Sequence, residues 1–163
     1  MKLAKAFADI DSKDSEPAQP IVKGFMPIGM LSGTGSIIIS AFEALVPAKE
    51  IAFHGVRFEV SPGDEYASDG IATVPIENAE KLIASLEQMA NANLSTDRFA
   101  LTEIEINVDD LRIVVFNTDR GRVHAAIEAD GATCHLMKQS ELLDLSKLVS
   151  MALQHLKSNM SSM

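Results

Sequence analysis

From residue 103 to residue 137 apolar and polar side chains alternate with a period of two, and from residue 140 the period lengthens to that of a helix. Ile104, Ile106 and Val108 alternate with Glu103, Glu105 and Asn107, which predicts a strand with one buried and one wet face. Asp109 and Asp110 fit a two-residue hairpin loop, which sets Val108 opposite Leu111, Ile106 opposite Ile113 and Ile104 opposite Val115. The next turn, Asn117 to Gly121, needs an odd number of loop residues to keep Val123, Ala125 and Ile127 on the same apolar side. Gly121 suits the left-handed position of a bulged turn there. This register sets Phe116 opposite Arg122 and Val114 opposite His124. Asp130-Gly131 is a hairpin signal that pairs Ile127 with Cys134 and Ala125 with Leu136. The result is a four-stranded antiparallel meander.

Leu142, Leu145, Leu148, Val149, Ala152, Leu153 and Leu156 fall on one helical stripe that should cover this sheet, with Ser140 as N-cap and Glu141 and Asp144 near the positive end of the dipole. Earlier in the chain the reading is less uniform. Residues 2–10 fit a short helix with Leu3, Phe7 and Ile10 on one side, and Asp11 to Pro20 reads as a charged, proline-containing linker. Gly24 to Ser36 is glycine-rich and reads as a loop or tight turn. Ser36 to Leu45 is open between a buried strand and a helix start. Ile51 and Phe53 alternate in one parity and Val56, Phe58 and Val60 in the other, which suggests a bulge at His54-Gly55. Ser61 to Asp64 is a turn, 71–76 a strand, and Glu77 to Asn91 a helix burying Ala79, Leu82, Ile83, Leu86, Met89 and Ala90.

The expected fold class is therefore α+β, an antiparallel sheet of six to eight strands with two amphipathic helices packed on one face. The chain is expected to divide into a flexible arm and linker over 1–20, a single domain over 21–157 and a disordered tail over 158–163. The domain splits into halves, 36–91 and 99–157, that share the order strands then helix. As an arrangement of elements this resembles the whirly and Pur-type single-strand-binding proteins, which implies nucleic-acid binding on a sheet face. No sequence motif of either family occurs. In size, charge and class the chain is also similar to small acidic chaperones of secreted proteins, which implies a protein client.

A hydrophobic content of 47% over 163 residues argues for one domain with a real core. The formal net charge of −9 disfavours a surface built for polyphosphate, since that binding rests on Lys and Arg displacing counterions. A signal-peptide core and an apolar run long enough to span a bilayer are both missing from the sequence, so the expectation is a cytoplasmic protein without membrane contact. Cys134 is the one cysteine, and its register places it in the core as a small inert hydrophobe.

The candidate binding surface is the outer face of the meander: Arg112, Val114, Phe116, Arg122, His124 and His135. An aromatic and a β-branched residue among basic groups fits self-association, a protein client or, by stacking plus phosphate contact, single-stranded nucleic acid. His124 and His135 lie diagonal to each other, too few ligands with Glu128 to define a metal site, and no metal or cofactor is expected. A ligand loop at Gly33, Thr34, Gly35 and Ser36 is a second candidate, because exposed amides before a helix can cradle an anion. It has neither the lysine of a phosphate loop nor the third glycine of a dinucleotide fingerprint. No nucleophile elbow or paired catalytic carboxylates are recognisable: Glu77 and Glu80 open a helix, and Asp109 and Asp110 make a turn. The functional expectation is a non-enzymatic binding or assembly protein, a homodimer using an open sheet face or edge. A single-strand binder is the alternative, and a small-molecule carrier or enzyme using the 29–36 loop the remaining one.

Overall fold

A computed structural model describes residues 18–94, 99–118 and 121–160. Of the arm and linker expected over 1–20, residues 1–17 lie outside them. The chain forms β1 (Val22–Gly33), β2 (Gly35–Val46), β3 (Ile51–Ser61), β4 (Gly70–Pro75) and α1 (Ile76–Ala90), then β5 (Glu103–Val108), β6 (Leu111–Asn117), β7 (Val123–Ala129), β8 (Ala132–Leu136) and α2 (Glu141–Met160). The fold is α+β, and the order of four strands then a helix occurs twice. Neither helix is long and apolar enough to cross a membrane.

The eight strands do not join into one sheet. Each unit keeps its own antiparallel meander, β1-β2-β3-β4 and β5-β6-β7-β8. The two meet at a seam where the Thr34 amide donates to the His135 carbonyl at 2.8 Å, a single bridge. Backbones touch there because side chains are missing. A Cβ at Gly33 would sit 1.9 Å from the His135 carbonyl oxygen, and one at Gly70 would sit 1.7 Å from that of Ala129.

Behind the seam lies one core. Ile37, Ile39, Val56, Phe58 and Val74 of the first sheet pack in one cluster with Ile113, Val115, Ile127 and Leu136 of the second, and with Leu82, Leu86, Leu145 and Val149 of the helices. The expected stripes of both helices are the buried ones, apart from half-buried Ile83, Ala90 and Leu148. α2 lies against α1 and against β1, β2 and β3, so the second unit's helix reaches across to the first sheet. Gly29 makes room for it, since a Cβ there would meet a Leu148 methyl at 2.6 Å. Gln139, just before α2, donates from Nε2 to the Met89 and Ala92 carbonyls, both at 2.7 Å, and so ties α2's entry to the end of α1. Glu141 accepts from the Lys138 amide at 3.0 Å, a capping contact made by its carboxylate.

Three local expectations are corrected and one open reading is decided. Gly24 to Ser36 is mostly strand: β1 pairs with β2 from Val22↔Leu45 to Gly33↔Gly35, and that cross-strand pairing overrides the low strand preference of glycine. The ambiguous 36–45 segment is strand throughout. The bulge lies between Pro27 and Gly29, whereas β2 and β3 pair without a break past His54 and Gly55. The change of parity in β3 has another cause. Beyond Ala41 and Val56 the hairpin overhangs the core, its inner face carries a His54–Glu43 contact at 3.1 Å, and apolar Ala44, Val46 and Phe53 bury on the other side. Finally, α2 continues to Met160, since neither glycine nor proline stops it at 157.

The seam yields a stability prediction. Gly70→Ala should cost more than about 2 kcal/mol, because a rigid carbonyl occupies the space of the new methyl. Gly131→Ala meets no neighbour and should cost only about 1 kcal/mol for its φ of +82°. Urea unfolding of the two variants checks the order.

Candidate functional site

The outer face of the second sheet is a small lattice fixed by strand register. One row reads Glu105, Val114, Ala126, His135; a second reads Glu103, Phe116, His124; a third reads Asn107, Arg112, Glu128, Thr133. The β5–β6 and β7–β8 pairings are those the alternation predicts. The β6–β7 pairing is shifted by two residues, so Phe116 faces His124 and Val114 faces Ala126. Asn117 is the reason. Its side-chain oxygen accepts from the Thr102 amide at 2.6 Å, its Nδ2 donates to the Ala100 carbonyl at 3.2 Å, and its own amide donates to the Thr102 carbonyl. These contacts hold Asn117 in the strand, and the five-residue loop falls at 118–122. Thr118 closes the loop by donating to the Arg122 carbonyl at 2.8 Å, with Gly121 left-handed at φ +73°.

Five of the six expected surface residues therefore come together, and Arg122 stands apart, exposed before β7. Phe116 is the centre of the group. His124 stacks on it at 5.8 Å between ring centroids, and His135 meets it edge-on at 6.2 Å. Val114 and Ala126, small side chains among larger ones, are buried on this face.

Arg112 is already engaged. Its Nε and Nη2 donate to the two oxygens of Glu105 at 2.7 and 3.3 Å, and its Nη1 donates to Glu128 at 3.1 Å. The guanidinium beside Glu105, helped by the Asn107 amide, holds that carboxyl below the usual carboxylate range. Two carboxylates thus satisfy the one cation of the lattice, and its charge is spent within the protein. Phosphate contact would have to displace them.

The glycine-rich turn has a different geometry from an anion cradle. Gly33, Thr34, Gly35 and Ser36 form the tight β1–β2 hairpin, not the entry to a helix, and the Thr34 amide is used by the seam. Gly35, at φ +97°, is pressed against the Ser61 carbonyl. Cys134 lies in the core as its register predicts, where burial pushes the thiol up and away from reactivity. Among the described residues no group of three or more His, Cys, Asp or Glu side chains could hold a metal ion.

A second open face went unread in the sequence. On the outer side of the first sheet, register aligns Met30, Ile38, Glu59 and Ile71 in one row, Ser40, Arg57 and Thr73 in the next, and Phe25 with Phe42 in a third. Phe25 and Phe42 lie 5.3 Å apart between centroids, and Phe53 continues the chain at 5.9 Å from Phe42. The Arg57 guanidinium sits 4.5 Å over the Phe25 ring and pairs with Glu59 at 2.9 Å. Phe25 is 48% exposed, Met30 58% and Ile71 46%. Reading β1 as a loop hid this face, because Phe25 and Met30 had no strand to stand on. The available signal was the odd parity of Phe53, explained by an outer apolar cluster.

Comparison of the chain with known protein families and with curated protein sequences gives no match.

The Arg112 cluster carries a pH prediction. Because the Glu105 pKa is lowered in the folded protein, the pair contributes stability above the ordinary glutamate range and loses it as pH falls through the lowered value. Carboxyl-detected NMR titration should find Glu105 below the ordinary glutamate range, and Arg112→Ala should raise it back toward that range.

Proposed function

We propose that this chain is a non-enzymatic binding and assembly protein that works as a homodimer joined through the outer face of its first sheet. One observation carries the reading: Phe25, Met30 and Ile71 remain about half exposed on a face whose only charged side chains among the described residues are Lys23, Arg57 and Glu59. A half-exposed side chain of that size has roughly 100 Å² left to bury, worth about 2.5 kcal/mol at ~25 cal/mol per Å². Three from each copy sum to about 15 kcal/mol, which matches the upper range of roughly 4–15 kcal/mol that association costs. Flanking Ile38, Phe42 and Pro27 would supply the surplus.

Electrostatics favours this face over the Phe116 face for self-association. A chain of net charge −9 repels its copy wherever acids cluster. The second sheet's outer face carries Glu103, Glu105 and Glu128 against Arg112 alone, while the first has two cations for one acid. Met30 in the contact adapts to an imperfect fit, which also suits a surface that exchanges one apolar protein partner for another.

Light scattering on purified protein tests the proposal. The native chain should run as a dimer, and Phe25→Glu with Met30→Glu as a monomer with unchanged circular dichroism. Phe116→Glu should leave the dimer intact. A native chain that is monomeric at tens of micromolar, or a dimer lost in Phe116→Glu and kept in the double variant, would overturn this assignment.

A further inference from the structure

We propose that the free edge of β5 accepts an extended segment of another protein, with basic side chains on one face and apolar ones on the other, by strand addition. β5 is the last strand of its sheet and pairs only with β6. Among the described residues no backbone hydrogen bond reaches its other side. An edge of this kind is a template for a further strand unless something guards it.

The two sides of β5 specify what that strand must carry. Ile104, Ile106 and Val108 point to the core side and are only half buried, packed at its margin. An added strand with apolar residues in the same phase would complete their burial. Glu103, Glu105 and Asn107 point the other way and are exposed. Glu105 is shared with Arg112, and Glu103 has no ion pair among the described residues. A Lys or Arg directly across from Glu103 or Glu105 is the favourable cross-strand pair, and an Asp or Glu there is unfavourable.

The same carboxylates disfavour a second copy of this chain. Antiparallel pairing of β5 with β5, apolar sides together, sets Glu105 against Glu105 in one five-pair register and against neutral Asn107 in the other, and neither gains an opposite charge. On an already acidic protein a basic strand is therefore the better partner for this edge. This surface is separate from the first-sheet face and does not depend on the dimer.

Two short fluorescent peptides serve as probes, one alternating lysine with isoleucine and valine, the other carrying glutamate in place of lysine. The lysine peptide should bind the native chain saturably, more weakly at high salt, and the glutamate peptide should not. Hydrogen exchange should slow at the amides of β5. Glu103→Lys, which breaks no ion pair among the described residues, should weaken the lysine peptide by about tenfold, and adding Glu105→Lys should turn the preference toward the glutamate peptide. Equal affinity of the lysine peptide for native and reversed chains would mean general attraction to an acidic protein and would sink the proposal. So would protection on β1 instead of β5, or no saturable binding at all.

Discussion

Two strands can approach a neighbouring backbone closely only where neither carries a Cβ in the way, and in this protein the union of two sheets hangs on that condition. Gly33 and Gly70 meet the carbonyls of His135 and Ala129 at distances that leave no room for even a methyl group. Thr34 adds the single hydrogen bond across the seam. With the sheets drawn together there, their apolar faces close on one core, and α2 can leave its own unit to lie over β1, β2 and β3. A bulkier seam would separate the sheets and open that core from one end.

The same arrangement decides what stays exposed. Both helices lie on the inner side, so among the described residues no helix covers the outer face of either sheet, and β5 keeps an edge without a backbone partner. These two faces differ in charge more than in shape. The first has an aromatic row with a cation lying over one of its rings; the second has an aromatic flanked by histidines, with its arginine held by two carboxylates. Apolar area with compensated charge suits a like partner. Acidic rows suit a partner of opposite sign.

Much of the second unit was legible in its sequence because strict alternation fixes which side of a strand is wet, and two short turns fix the register. Ile104 with Val115, Ile127 with Cys134 and Ala125 with Leu136 pair as their spacing requires. The one slip, by two residues between β6 and β7, came from contacts of Asn117 to Ala100 and Thr102 that lie some fifteen residues away in the chain. Arg122 left the candidate surface for that reason. In the first unit the glycines of β1 concealed a twelve-residue strand, and with it Phe25 and Met30.

By itself, then, the sequence determined the class of fold, the two amphipathic helices, the burial of Cys134 and the outward set of Glu103, Glu105, Arg112, Phe116 and His135, all of which follow from local period and short turns. Only the tertiary structure decided that eight strands form two sheets, that α2 crosses to the first, that Arg112 is neutralised, and that an aromatic face lies on β1 to β3. Each of these depends on what a residue meets from far along the chain, and no periodicity within a strand or helix records that.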